Sequence, residues 1–218
     1  MSKNIQILDC TLRDGGLGLE DAEKNDLSHV RFSENDSRMT AGYLADSAID
    51  IIELGSIEIT SDDRTGFCIY KNIEDISKQM PLKKKQNQMF AALYRGPDTP
   101  IDDIPKWNPS LCEAVRVIIR YSELQKSLDF CAALSSKGYK VFVQPMLTMR
   151  YTKEEIQLLI EKSNEMNAYA LYFVDSYGYM ENRDVVDLFN VYDEGLKPQI
   201  KIGFHAHNNT VSYTHLRA

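Results

Sequence analysis

The sequence lacks the features that mark several common classes of protein. Its four cysteines are scattered without a C-x-x-C pair, so we expect neither a disulfide framework nor a structural zinc site. No apolar run approaches the roughly 18 residues needed to span a membrane. The N-terminal region carries charges throughout instead of the apolar stretch of a signal peptide. These absences predict a soluble, cytoplasmic protein with reduced thiols.

Positive charge is also scarce. The 218 residues carry 25 Lys and Arg against 32 Asp and Glu, for a net charge of −7. Nucleic-acid binding needs clustered cations that contact phosphates. The one dense basic run, Lys83-Lys84-Lys85, is interpreted as a solvated turn. We therefore predict no nucleic-acid or membrane partner.

What the chain does contain is a regular alternation of strand and helix signals. Short apolar runs predict seven strands, at residues 5–9, 49–54, 88–94, 114–120, 140–145, 170–174 and 200–207. These runs are too continuously apolar for strands with one wet face, which indicates a parallel sheet covered on both sides. Helical patterns lie between them, with capping-box spacing at Ser122–Gln125 and Thr152–Glu155. Residues 17–35 show no clear periodicity, and we expect an extended loop there.

Two architectures fit alternating strands and helices: an open doubly wound sheet and a (β/α)₈ barrel. An open nucleotide-binding sheet should carry a glycine-rich phosphate loop after its first strand, but Arg13-Asp14-Gly15-Gly16 stands there instead. In a barrel, the residues that follow the strands converge on one mouth. Polar residues occupy five of these positions, namely Glu53, Arg120, Gln144, Asp175 and His205. We predict an α/β fold, an incomplete TIM (β/α)₈ barrel with about seven strands.

Two histidines near the end of the last predicted strand suggest a metal site. His205 and His207 are two residues apart, so their side chains point to the same side of a strand. An H-x-H pair alone is a weak signal, and Asp14 alone would be interpreted as a turn carboxylate or a partner of Arg13. In an eight-stranded barrel, however, the first and seventh strands flank the same neighbour, so Asp14 can approach both imidazoles. Two imidazoles and one carboxylate suit Mn²⁺, Zn²⁺, Fe²⁺ or Mg²⁺.

Arg13, beside the predicted metal ligand, suggests the chemistry of the substrate. A guanidinium next to a Lewis-acidic cation stabilises an oxyanion or enolate, and it also binds a carboxylate through two hydrogen bonds. These properties together predict a 2-oxo acid whose enolate forms during the making or breaking of a C–C bond.

These residues also carry a family resemblance. The segment Asp9-Cys10-Thr11-Leu12-Arg13-Asp14-Gly15 resembles the D-x-T-L-R-D-G signature of the DRE-TIM metallolyases, the HMGL-like superfamily. Residues 203–208 are similar to its second signature, G-x-H-x-H-N, and the two signatures lie at opposite ends of the chain in the family's order. Residues 174–180 resemble the V-D-S-x-G-x-M segment of the 4-hydroxy-2-oxovalerate aldolase branch.

The resemblance implies roles for individual residues. It makes Asp14, His205 and His207 the ligands of a divalent cation, with Mn²⁺ favoured over Mg²⁺ or Zn²⁺. It gives Arg13 the stabilisation of the enolate and contacts with the substrate. Glu53 matches a position near a metal-bound water, although a plain charged strand-end residue explains it equally well.

Three further residues complete the predicted site. Asp175 and Ser176 are expected to act on or orient the substrate, with capping of the following loop as the alternative. Gln144 is expected in the wall of the pocket.

The activity implied is that of a metal-dependent aldolase, a carbon–carbon lyase that splits or forms a 4-hydroxy-2-oxo acid through a pyruvate enolate. The alternatives are a Claisen-type acyltransferase that uses acetyl-CoA and a barrel without catalytic activity. The histidine base that follows the R-D-G motif in the aldolase branch is absent, since Gly16, Leu17 and Gly18 stand there; Tyr177 or Tyr179 could share the proton transfer.

The resemblance also implies partners and domain limits. The small-molecule partners are a 2-oxo acid and an aldehyde, with an aldehyde dehydrogenase partner in some relatives and a homodimer when full length. Residues 1–210 are expected to form a C-terminally truncated catalytic domain. Residues 211–218 are expected to be a tail that does not belong to it.

Overall fold

The computed structural model describes residues 5–82 and 85–207, which divide into two compact units between Arg116 and Val117. The strands are β1 (Leu8–Asp9), β2 (Ile51–Ile57), β3 (Ile69–Tyr70), β4 (Met89–Tyr94), β5 (Ala114–Ile119), β6 (Lys140–Pro145), β7 (Ala170–Asp175) and β8 (Lys201–Ala206). The helices are α1 (Thr11–Lys24), α2 (Glu34–Asp46), α3 (Ile73–Ser77), α4 (Leu124–Ser136), α5 (Lys153–Glu165) and α6 (Asn182–Gly195).

The first unit is built around β2, in which all seven residues are buried. β2 pairs in parallel with β1 on one side and with β4 on the other, and the short β3 also pairs with it. The register between β2 and β4 shifts between Glu53 and Ser56. Gly55 lies in this irregularity with a φ of +153°, and a Cβ there would lie 2.2 Å from the carbonyl oxygen of Cys68. The close approach of the β3 segment therefore requires glycine at position 55.

The second unit is centred on β7, which is buried along its whole length. β6, β7 and β8 pair in parallel, and β8 follows β7 residue for residue from Lys201 to Ala206. α6 packs onto this sheet through Tyr192, a fully buried residue whose hydroxyl donates to the carbonyl of Tyr172 at 3.2 Å.

All seven predicted strands are present, and β3 is an additional strand of two residues. In the first unit the strands follow the order β1-β2-β4-β5, and in the second the order β5-β6-β7-β8, so sheet order matches chain order. Parallel strands in chain order with intervening helices are the arrangement of a TIM barrel. The prediction of an α/β fold with an incomplete TIM barrel is confirmed.

The predicted loop at residues 17–35 is wrong at both ends. α1 extends to Lys24, and α2 begins at Glu34 behind a capping box formed by Ser33 and Asp36. Consequently Arg13 and Asp14 lie in the first turn of α1 instead of at the end of a strand. Glu53 lies inside β2 and not after it.

Of the two predicted capping boxes, the structure contains one. Thr152 and Glu155 form both bonds of the box at the start of α5. The box predicted at Ser122 is wrong, because a turn of 3₁₀ helix at Tyr121–Glu123 precedes α4 and moves its first residue to Leu124. None of the described helices is long and apolar enough to cross a membrane. The predicted tail at residues 211–218 lies outside the described residues.

Candidate active site

The first part of the candidate site lies at the start of α1. The carboxylate of Asp9 accepts hydrogen bonds from the backbone N–H of Thr11 at 2.9 Å and from its hydroxyl at 3.0 Å. These bonds satisfy a backbone donor that the helix itself leaves without a partner. Asp9 and Thr11 of the first signature therefore begin the helix that carries Arg13 and Asp14.

Arg13 is held by two carboxylates. Its Nε donates to Oε2 of Glu53 at 2.7 Å, and its Nη1 pairs with Oδ1 of Asp14. Burial lowers the pKa of Arg13, but the charges of Glu53 and Asp14 raise it above its ordinary value. Within the described part of the chain, Nη2 of Arg13 is buried and has no hydrogen-bond partner. The guanidinium thus has a fixed orientation and one donor group left for a ligand.

Glu53 is fully buried and is shared by two arginines. Besides Arg13, it accepts from Nη1 of Arg116, which lies 2.8 Å from each of its two oxygens. Arg116 is itself fully buried in β5. Arg116 was not among the predicted site residues, although a charged residue inside the apolar run Ala114–Ile119 was a visible signal.

Asp14 is the most exposed member of this group, with 44% of its side chain accessible. Its Oδ2 accepts a hydrogen bond from the thiol of Cys10 at 3.0 Å. Burial, together with this bond, raises the pKa of Cys10 to about 12. The thiol therefore stays protonated at neutral pH, and Cys10 is poorly suited to act as a nucleophile.

The second part of the candidate site is the histidine pair of the second unit. Nε2 of His205 and Nε2 of His207 are 3.2 Å apart, which confirms that both side chains lie on one side of the strand. Nδ1 of His207 lies 2.9 Å from the carbonyl oxygen of Asp175. Because a carbonyl only accepts, Nδ1 is the donor in this contact, and in the neutral ring Nε2 then presents its lone pair.

The pair has the geometry of two ligands of one cation. With metal–nitrogen bonds of about 2.0–2.1 Å, two ligating nitrogens lie roughly 3.0–3.4 Å apart. A hydrogen bond from the remote ring nitrogen to a carbonyl is also the usual support of a ligating histidine. The side chains of His205 and His207 therefore fit a divalent cation. Among residues 5–82 and 85–207, no group of three or more His, Cys, Asp or Glu side chains forms a complete metal cluster.

The remaining predicted residues of the second unit are buried or tied to the backbone. Both carboxylate oxygens of Asp175 accept backbone N–H groups, from Tyr179 and from Met180, each at 3.0 Å. The hydroxyl of Ser176 accepts from the N–H of Leu147 at 2.8 Å. Gln144 is buried in β6. Asp175 thus forms the turn after β7 with its side chain and orients His207 with its main chain.

The structure accordingly gathers the predicted residues into two groups. Arg13, Asp14 and Glu53 are in direct contact in the first unit. His205, His207 and Asp175 are in direct contact in the second unit.

Comparison with known proteins supports a common origin along nearly the whole chain. A family model described as HMGL-like matches residues 4–212. A 4-hydroxy-2-oxovalerate aldolase of Shewanella woodyi is 27% identical, and the match covers 95% of this chain and 59% of that protein. A second protein of that name, 4-hydroxy-2-oxovalerate aldolase 2 of Comamonas testosteroni, is 26% identical over 95% of this chain and 57% of its own length.

A solved structure shows the same fold. The HMG-CoA lyase of Bacillus subtilis superposes with a TM-score of 0.69 at 13% identity, over 99% of this chain and 72% of that one. The chain spans less than three fifths of the length of the two curated relatives.

Proposed function

Because the chain belongs to the HMGL-like family, we propose that it acts as a metal-dependent aldolase on a 4-hydroxy-2-oxo acid. The observation that carries the proposal is the fixed orientation and burial of the Arg13 guanidinium. Its guanidinium is oriented by Glu53, and its buried Nη2 has no hydrogen-bond partner within the described residues. A buried, oriented donor of this kind is suited to an oxyanion or a carboxylate. The aldolase names of the curated relatives support the same class of substrate.

The proposed reaction breaks the bond between C3 and C4 of the substrate. The C4 hydroxyl loses its proton and becomes the carbonyl of an aldehyde, while the bond's electron pair moves to C3 and forms the enolate of pyruvate. Protonation at C3 then yields pyruvate. Charge develops on the C2 oxygen during this step, and a preorganised guanidinium lowers the barrier by stabilising that charge.

The residues of the chain have separate tasks in this proposal. Arg13 binds the 2-oxo acid and stabilises the enolate, Glu53 holds Arg13, and Asp175 orients His207. As the two signatures imply, Asp14, His205 and His207 hold a divalent cation, with Mn²⁺ as the first candidate. When bound, the cation supplies Lewis acidity toward the substrate's oxygen atoms. Gln144 and Ser176 are proposed to contact the substrate. Binding to an aldehyde dehydrogenase and formation of a homodimer stay predictions.

The test is exchange of the C3 protons of pyruvate in deuterated water, followed by NMR, with Mn²⁺ and the full-length protein. This reaction needs only the enolate, so it does not require the aldehyde to be identified. We expect Arg13→Lys and His207→Ala to slow exchange to a small residual rate. The matched controls, Arg38→Lys and His29→Ala, change exposed side chains and should keep the wild-type rate.

Cleavage is tested separately by supplying 4-hydroxy-2-oxo acids and measuring the release of pyruvate. Release of free thiol from acetyl-CoA in the presence of a 2-oxo acid would instead identify a Claisen-type acyltransferase. Wild-type protein that binds Mn²⁺ but exchanges no proton and cleaves no substrate would contradict the proposal.

A further inference from the structure

Arg116 is a full positive charge in the interior of an apolar strand. Its side chain is completely buried, and its neighbours Val115 and Val117 are buried as well. Placing a guanidinium out of contact with water costs free energy unless it is paired and hydrogen-bonded. An apolar residue at this position of β5 could be buried without this cost. A buried arginine here therefore needs a specific partner for its charge.

Glu53 is such a partner. Nη1 of Arg116 lies 2.8 Å from both carboxylate oxygens, so the carboxylate is held symmetrically and its rotation is restricted. The same carboxylate accepts from Nε of Arg13 through Oε2 at 2.7 Å. The three side chains form a continuous series in which Arg116 fixes Glu53 and Glu53 fixes Arg13.

The orientation and burial of Arg13 favour an anion beside its Nη2. Glu53 stands between two guanidinium groups, and Asp14, which pairs with Nη1 of Arg13, is 44% exposed and so is partly screened by water. Charges in a poorly solvated interior interact more strongly than charges in water. An incoming carboxylate or enolate at Nη2 of Arg13 would therefore meet a preorganised positive charge.

We infer that Arg116 is a positioning residue for the proposed reaction: through Glu53 it holds Arg13 in the orientation in which Nη2 meets the oxyanion. This inference rests on the proposed function for the identity of the substrate. The ordering of Arg13 by Arg116 can be measured without it.

The kinetic test is a double-mutant cycle between Arg13 and Arg116. Arg116→Lys keeps the charge but removes the rigid guanidinium, whose Nη1 contacts both oxygens of Glu53. We expect the rate of pyruvate proton exchange to fall on the order of 10- to 100-fold, as small misplacements of catalytic groups do. In an Arg13→Lys background, the same change should reduce the residual exchange rate no further, because two residues that act as a unit have non-additive effects.

The control for general damage is Arg95→Lys, which alters another arginine–carboxylate pair of the first unit. Arg95 donates to Glu58 at 2.8 Å and has no part in the proposed reaction. We expect this variant to keep wild-type exchange. An equal loss of exchange in Arg95→Lys and Arg116→Lys would show that Arg116 has only a structural role.

A second readout is independent of activity. The ¹⁵Nε–H resonance of Arg13, assigned by its loss in Arg13→Lys, reports the hydrogen bond to Glu53. We expect it to be sharp and slow to exchange with water in the wild type, and to broaden or exchange rapidly in Arg116→Lys. If Arg116→Lys fails to fold, Arg116→Met leaves Glu53 in place to pair with Arg13 alone, and the same loss of order at Arg13 is expected.

Proton exchange tests the proposed function, and the Arg13 resonance tests the role of Arg116. Wild-type protein without proton exchange contradicts the proposed function, but the Arg13 resonance still decides whether Arg116 orders Arg13. An unchanged Arg13 resonance in folded Arg116→Lys overturns the inference, whatever the activity.

Discussion

At the scale of the residue, Glu53 matters both to the candidate site and to the stability of the fold. Its side chain is fully buried between Arg13 and Arg116 and neutralises only one of the two positive charges. The net stabilisation from a buried ion pair is small, because desolvation offsets the attraction. Removing the shared partner is different, since two buried guanidinium groups then both lose the carboxylate that they share.

We therefore predict that Glu53→Gln destabilises the fold by about 3–5 kcal/mol, the usual cost of breaking a buried ion pair from one side. Denaturant unfolding of the wild type and the variant measures this free energy. Glu58→Gln is the matched control, because Glu58 also pairs with two arginines but is about one third exposed. In Glu58→Gln the free energy of unfolding should fall by roughly 1 kcal/mol or less. Equal losses in the two variants would contradict the prediction.

At the scale of the element, α1 shows where interpretation of the sequence succeeds and where it fails. The strands were predicted closely, because buried parallel strands produce continuous apolar runs such as Ala170–Asp175. α1 was missed, because Gly15, Gly16 and Gly18 lower its intrinsic helix propensity. Its stability comes from tertiary contacts that no local pattern reveals.

The site shows the same division between local and long-range information. The signatures predicted Arg13, Asp14 and the two histidines, because short motifs contain them. The Arg116–Glu53 contact joins residues 63 positions apart, and only the pairing of distant strands creates it. Glu53 was predicted at the end of its strand, whereas the register shift after it leaves it inside β2.

The packing of α1 leads to a prediction about its glycines. A Cβ at Gly16 would lie 1.9 Å from the carbonyl oxygen of Phe67, whereas a Cβ at Gly18 would meet nothing within 4 Å. Alanine in a helix interior is ordinarily up to about 1 kcal/mol more stable than glycine. We expect that gain in Gly18→Ala, and a loss of roughly 1–3 kcal/mol in Gly16→Ala, because backbone must move to avoid overpacking.

Thermal unfolding of the two alanine variants measures the difference directly. Stabilisation by both substitutions would contradict a close contact between α1 and the carbonyl of Phe67.

At the scale of the whole molecule, cation binding should be linked to stability. A ligand that binds only the folded state adds about 2.7 kcal/mol of stability when its concentration is 100 times its Kd. For a chain of this size, such a gain raises Tm by roughly 5–10 °C. We predict a rise of this order with Mn²⁺ and its reversal by EDTA.

Differential scanning calorimetry checks the prediction and separates the ligating histidines from the others. His207→Ala should abolish the rise in Tm, and the exposed His29→Ala should retain it. A full rise in His207→Ala would place the cation elsewhere in the molecule.

The contact between Gly16 and the carbonyl of Phe67 also bears on how relatives are recognised. A descendant that lost catalysis would still need a small residue at this position in order to fold, while Arg13 and Asp14 would be free to drift. Gly16, directly after the first signature, therefore indicates common ancestry, whereas Arg13 and Asp14 within the signature indicate the chemistry. Genome surveys that score Gly16 and the Arg13-Asp14 pair separately could distinguish active lyases from members that keep the fold for another purpose.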